Sequence, residues 1–208
     1  MTALIPAQDL RIAEILGRAR NAFAEKGFDG ASMQDIARSA GMSVGNFYRY
    51  FPSKAAMVEA LIMADVAEMQ RDFSQILSAP DPMQRLREMI RYRLTDDVNC
   101  AQDGRVWAEI TAAAMRKPEI AAITVQMQSH ITTNICAVFA RVVGISEPEA
   151  LQRFQSHAQF IVLMVKTAAM TPPDNCPVHS ELMAHVERTI DATLNEVLDL
   201  TKGYADAR

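Results

Sequence analysis

Between positions 32 and 54 the chain reads S-M-Q-D-I-A-R-S-A-G-M-S-V-G-N-F-Y-R-Y-F-P-S-K, and its polar members are side chains suited to reading a nucleic acid. Asn and Gln offer a paired donor and acceptor that match an adenine edge, and Arg offers a two-pronged donor that matches guanine. Hydroxyl and ammonium groups suit phosphate oxygens. Spacing decides which side chains point outward. Ile36, Ala37 and Ala40 share one face of a short helix, while Phe47 and Phe51, four apart, turn back into the same small core. Val44, Gly45, Asn46, Tyr48, Arg49 and Tyr50 are left with a route to the outer side. Two short helices joined by a tight turn at Gly41 to Ser43 give a helix-turn-helix, whose second helix enters the major groove N-terminus first.

Catalytic chemistry has no comparable footing. The chain contains no H-E-x-x-H, no Gly-rich phosphate loop and no G-x-S-x-G. Asp96-Asp97, His157, His179 and His185 are the best candidates for catalysis or metal ligation. His179 and His185, six apart, fall on different faces of a helix. Neither an enzyme, a metal site nor a cofactor is expected. Cys100, Cys136 and Cys176 are odd in number, widely spaced and in no C-x-x-C pair, so they read as reduced thiols.

The elements that must position the run are helical almost throughout. Ile12, Ile15, Leu16, Ala19 and Phe23 predict a helix from about Asp9 to Lys26, stopped by Gly27, with a turn from Phe28 to Ala31. Ser32 and Ser43 are natural caps for the two short helices, and Pro52 closes the second. A long helix is expected from Ser53 to Ser78, followed by a break at Ala79 to Pro82. Further helices are expected over Pro82–Val98, Gly104–Arg116, Pro118–Val143, Pro148–Met170 and Val178–Leu200, with Gly203 to Arg208 frayed. No strand-like alternation occurs. The fold class is therefore all-α: an N-terminal three-helix helix-turn-helix domain (1–53), then a larger helical domain (54–208).

Charge distribution permits a nucleic-acid partner at one end. The 208-residue chain carries a net charge of −4. Within residues 1 to 54, however, seven basic groups (Arg11, Arg18, Arg20, Lys26, Arg38, Arg49, Lys54) outnumber five acids (Asp9, Glu14, Glu25, Asp29, Asp35). The longest candidate apolar run, Phe160 to Val165, is bounded by Gln159 and Lys166, far short of a membrane span. The N-terminus lacks the pattern of a secretory leader, so a cytoplasmic location with no membrane partner is expected.

The stretch from about Ile12 to Leu61 resembles the DNA-binding domain of TetR-family regulators. The resemblance rests on A-F-A-E-K-G-F at 22 to 28, D-I-A at 35 to 37, and A-G-M-S-V-G-N-F-Y-R-Y-F-P-S-K at 40 to 54. It implies a ligand-responsive transcription regulator, most often a repressor, that binds operator DNA as a homodimer; an activator would use the same head. By position, it implies that Val44, Gly45, Asn46 and Arg49 approach base edges, with Gln34 also in reach. Ser32, Ser43, Tyr48, Tyr50 and Lys54 are the expected phosphate-side residues, the two serines being caps first. Many relatives carry Thr where this chain has Asn46, so the operator cannot be borrowed from them.

The resemblance also implies that the remaining helices bind a small effector and that the last two long helices pair with their copies. The helix around Leu151, Phe154, Ala158, Ile161, Val162 and Val165 is apolar nearly all round, which demands cover on both sides. Candidate effector contacts are Met89, Tyr92, Trp107, Met127, His130, Asn134, Phe160 and Met164, with Arg93 and Met115 beside them. Thirteen methionines suit a flexible apolar or aromatic compound, though ordinary core is the plainer role for each. A satisfied core histidine is likewise the plainer role for His130.

Overall fold

The computed structural model describes residues 7–95, 97–171 and 177–205, with side chains over 11–94, 104–171 and 179–200. Nine helices and no strand occur among the described residues: α1 (Ala7–Gly30), α2 (Met33–Ser39), α3 (Val44–Tyr50), α4 (Lys54–Ser78), α5 (Pro82–Thr95), α6 (Asp97–Ala114), α7 (Pro118–Val143), α8 (Glu147–Met170) and α9 (Pro177–Ala205). The all-α expectation holds. Two compact units emerge, and neither is a single stretch of chain. The first contains residues 1–65 and 102–125, and the second contains 66–101 and 126–208.

In the first unit, α1 packs on α2 and α2 on α3. Ile15, Ala19, Phe23, Phe28, Ile36, Ala37, Phe47, Phe51 and Met57 are buried. Phe23 stacks on Phe28 with ring centroids 5.7 Å apart, and Phe47 meets Phe51 at 5.8 Å. Arg20 ties α1 to α4 through Asp65 at 2.6 Å.

In the second unit, α8 packs on α9 and α5 on both. Leu86 and Ile90 of α5, Phe139 of α7, Phe154 and Ile161 of α8, and Ile190 and Leu194 of α9 belong to one buried cluster. Arg87 crosses from α5 to α9, bonding Asp191 at 2.5 Å and Asn195 at 2.7 Å, and Arg91 reaches Glu187 at 2.5 Å.

Several expected boundaries move, for identifiable reasons. The break at Gly27 is real (φ 73°, ψ 167°), but one more helical turn follows it, closed by the Ala31 N–H on the Gly27 carbonyl at 3.1 Å. The largest shift lies at α5 and α6. The first ends at Thr95, three residues before Val98, and the second starts at Asp97 rather than Gly104, so Asp103-Gly104 is helix and not loop. A glycine ends a helix by escaping to positive φ. Gly104 does not take that route: the positive-φ glycines are Gly27, Gly41 and Gly144. Ser146 caps α8 through the Glu149 N–H, which puts Pro148 one position further inside. The last helix passes Gly203 and reaches Ala205, so the expected fraying does not begin at Gly203.

Candidate nucleic-acid interface

The outward face of α3 is built by what anchors its other side. Ser43 accepts the Asn46 N–H at 3.3 Å and starts the helix, and the Phe51 N–H closes on the Phe47 carbonyl at 3.0 Å. Phe47 is fully buried and Phe51 is 5% exposed. A seven-residue helix pinned at those two rings must turn its remaining residues away, and Val44, Gly45, Asn46, Tyr48 and Arg49 are all exposed. Arg49 pairs with no carboxylate among the described residues, so its guanidinium is open to a guanine or a phosphate.

The turn before α3 is equally determinate. Gly41 takes φ 64°, its N–H bonds the Arg38 carbonyl at 3.0 Å, and the Met42 N–H bonds the Ala37 carbonyl at 2.9 Å. This is a Schellman close, which satisfies the orphan carbonyls of α2. Arg11 adds a bond from α1 to the Ala40 carbonyl at 2.6 Å.

Ser32 caps α2 by accepting the Asp35 N–H at 3.0 Å. The Ser32 hydroxyl beside it, with Lys26 and Arg38 nearby, holds the Asp35 carboxyl below its ordinary 3.8. Gln34 is exposed on the first turn of α2, and Tyr50 is half-buried beside Phe51.

Lys54 departs from expectation. Its ammonium donates to the carbonyls of Phe28 at 2.7 Å and Asp29 at 2.9 Å, and lies 5.3 Å from the centroid of the Phe28 ring. Two of its three N–H groups are therefore committed to the turn after α1, leaving one for a phosphate. Burial lowers its pKa, with Asp29 opposing.

The effector candidates are dispersed. Met89 and Met164 pack against the apolar cluster of the second unit, where Phe160 and Asn134 are half-buried and Met127 is 6% exposed. Tyr92 is 64% exposed and His130 is also exposed, so the latter is not a core histidine. Trp107 belongs to the first unit, half-buried. Of the neighbouring candidates, Met115 is 86% exposed and Arg93 faces Asp72 at 3.5 Å. Sequence reasoning missed Arg11, Arg20 and Glu109, whose partners lie 29, 45 and 81 positions away and leave no local signal.

Comparison with known proteins decides what this head belongs to. Residues 15–61 match the model for bacterial regulatory proteins of the tetR family, and residues 82–195, more than half the chain, match that for the BetI-type transcriptional repressor C-terminal domain.

The chain belongs to the TetR family.

The TetR family is one of bacterial regulatory proteins. The chain is 30% identical over 122 residues to the HTH-type transcriptional regulator UidR of Escherichia coli (strain K12), a match covering 57% of this chain and 59% of that one. The match to UidR thus spans less than two thirds of that relative's length. To the HTH-type transcriptional regulator BetI of Yersinia pestis (strain Pestoides F) it is 26% identical over 137 residues, covering 64% and 69%. The fold superimposes on Salmonella enterica GusR with a TM-score of 0.72 at 23% identity, covering 96% of this chain and 100% of that one. A TetR transcription regulator from Haloarcula marismortui gives 0.69 at 16% identity, covering 90% and 98%. No helix among the described residues is long and apolar enough to cross a membrane.

Proposed function

We propose that this TetR-family chain is a repressor that binds a pseudo-palindromic operator as a homodimer in the cytoplasm and is released by a small molecule. The observation that carries the DNA reading is the exposed face of α3, with Asn46 and Arg49 turned outward by the burial of Phe47. Val44, Gly45, Asn46 and Arg49 read base edges, with Gln34 beside them. Ser32, Ser43, Tyr48, Tyr50 and the remaining N–H of Lys54 serve phosphates. Functionally the chain divides at residues 53 and 54 into a reading part and a sensing and pairing part.

Pairing is supported by large apolar side chains open to solvent on α8 and α9: Leu163 at 58%, Leu182 at 46% and Leu200 at 46%. An isologous dimer through these two helices covers them and sets two reading helices about 34–36 Å apart. An apolar or aromatic effector is read by the half-buried Met89, Asn134, Phe160 and Met164 of the second unit, with Met127, Tyr92 and His130 as further contacts. It acts by favouring a dimer state with the wrong head spacing, transmitted along α4; a tenfold operator weakening needs about 1.4 kcal/mol of differential affinity.

The test is selection from random duplexes with purified protein, followed by fluorescence anisotropy across a salt series. One enriched palindrome, bound far more tightly than random DNA and with a steep salt slope, is expected. Weak binding without enrichment overturns the reading. Screening against the enriched duplex then separates an effector that weakens binding from one that merely binds.

A further inference from the structure

Glu109 lies on α6, outside the stretch 15–61 that matches the N-terminal family model, yet its carboxylate is bonded into the turn that launches the reading helices. Gly27, at φ 73°, interrupts the helical ladder and releases the N–H of Phe28, whose side chain is 3% exposed. A partly buried N–H without an acceptor is costly, and Glu109 Oε2 accepts this one at 2.9 Å. A Cβ at Gly27 would sit 2.9 Å from that oxygen and 3.3 Å from the carboxyl carbon. Glycine at 27 is therefore required by its backbone angle, and a Cβ there would push the carboxylate end of Glu109 off the Phe28 N–H.

The other groups of the same turn are held from elsewhere in the first unit. Lys54, the first residue of α4, takes the Phe28 and Asp29 carbonyls. Arg116 and Lys117 reach the Asp29 carboxylate at 3.0 and 3.7 Å, and Lys117 lies 5.7 Å from the Phe28 ring centroid. These last pairs are exposed and individually weak. The bond from Phe28 to Glu109 is partly buried and directional, and a slide of α6 by about 1 Å would carry it out of reach.

We propose that Glu109 is a positioning residue for operator reading: by holding the Phe28 N–H it sets the angle at which α2 and α3 leave α1. The inference rests on the DNA-reading role of α3 and adds a control point on α6, distinct from the route along α4. A bond that only stabilised the fold would leave the affinity of the folded protein unchanged, whereas one that aims the reading helices would alter specific binding alone.

The experiment compares wild type, Glu109→Ala and Glu109→Gln on the duplex enriched by wild type and on a random duplex, alongside thermal unfolding. Glu109→Ala is expected to weaken the enriched duplex about tenfold, about 1.4 kcal/mol, with random binding unchanged. Glu109→Gln, whose amide oxygen still accepts, should recover to within about threefold of wild type. Unchanged specific binding in Glu109→Ala, an equal loss on both duplexes, or failure of both variants to fold would each overturn the proposal. Failure of wild type to enrich any duplex is a separate result, visible before a variant is made, and removes operator reading together with this inference.

Discussion

Asn46 and Arg49 sit three apart on one exposed helical face, and each offers a paired hydrogen-bonding edge that can discriminate one base from another. Replacing either by Ala should weaken the enriched duplex by about 1–3 kcal/mol and relax preference at one base position, with little change on random DNA. Anisotropy with single-position duplex variants checks this; uniform weakening on all sequences would make the residue a phosphate contact instead. At Asp35 the chemistry is a titration. Its folded pKa lies below 3.8, through the Ser32 hydroxyl and then Lys26 and Arg38, so its contribution is complete above that value and is lost as pH falls through the folded one. Asp35→Asn should therefore lower the melting midpoint at neutral pH, and the gap should close well below pH 3.8. A gap that persisted in acid would assign the loss to something other than charge. Cys136 is buried, and burial pushes its thiol up to about 11, so iodoacetamide should label it only after denaturation. Peptide mass spectrometry reads that directly.

At the scale of elements, two glycines with the same open space around them should respond in opposite directions. A Cβ at Gly17 or at Gly41 would meet nothing within 4 Å. Gly17 lies within α1 at ordinary helical φ, so Gly17→Ala should stabilise by about 0.5–1 kcal/mol. Gly41 sits at φ 64° in the Schellman close, so Gly41→Ala should destabilise by about 1–2 kcal/mol. Calorimetry should show midpoint shifts of about 2–4 °C per kcal/mol for a chain of this size. Equal signs would mean that φ is not the deciding factor. The same physics explains what could be read in advance. Ser32, Ser43 and Gly41 act through bonds three to five residues away, so type and spacing announced α2, the turn and α3. Asp103-Gly104 suggests a loop with a helix starting at Gly104, but whether a glycine leaves helical φ depends on its surroundings, and this one stays inside α6.

For the molecule as a whole, the proposed pairing rests on Leu163, Leu182 and Leu200, large apolar side chains of α8 and α9 that are open to solvent. Leu163→Asp with Leu182→Asp should shift the sedimenting species from twice the chain mass to once, with loss of palindrome binding and near-normal helical signal. A dimer that survives both changes would place pairing elsewhere.

What the sequence by itself determined is local and periodic: an all-α chain, the two short helices, their caps and turn, and the outward placement of Val44, Gly45, Asn46, Tyr48 and Arg49. Those features follow from hydrogen bonds within a turn or two of helix and from apolar spacing, both written in neighbouring residues. Only the tertiary structure decided that residues 102–125 join the N-terminal helices in one unit, that Lys54 spends two of its donors on the turn at Phe28, and that Glu109 takes the N–H which Gly27 releases. Each of these joins residues 25 or more positions apart, and the chain carries no periodic signal for a pairing that exists only after its helices have packed.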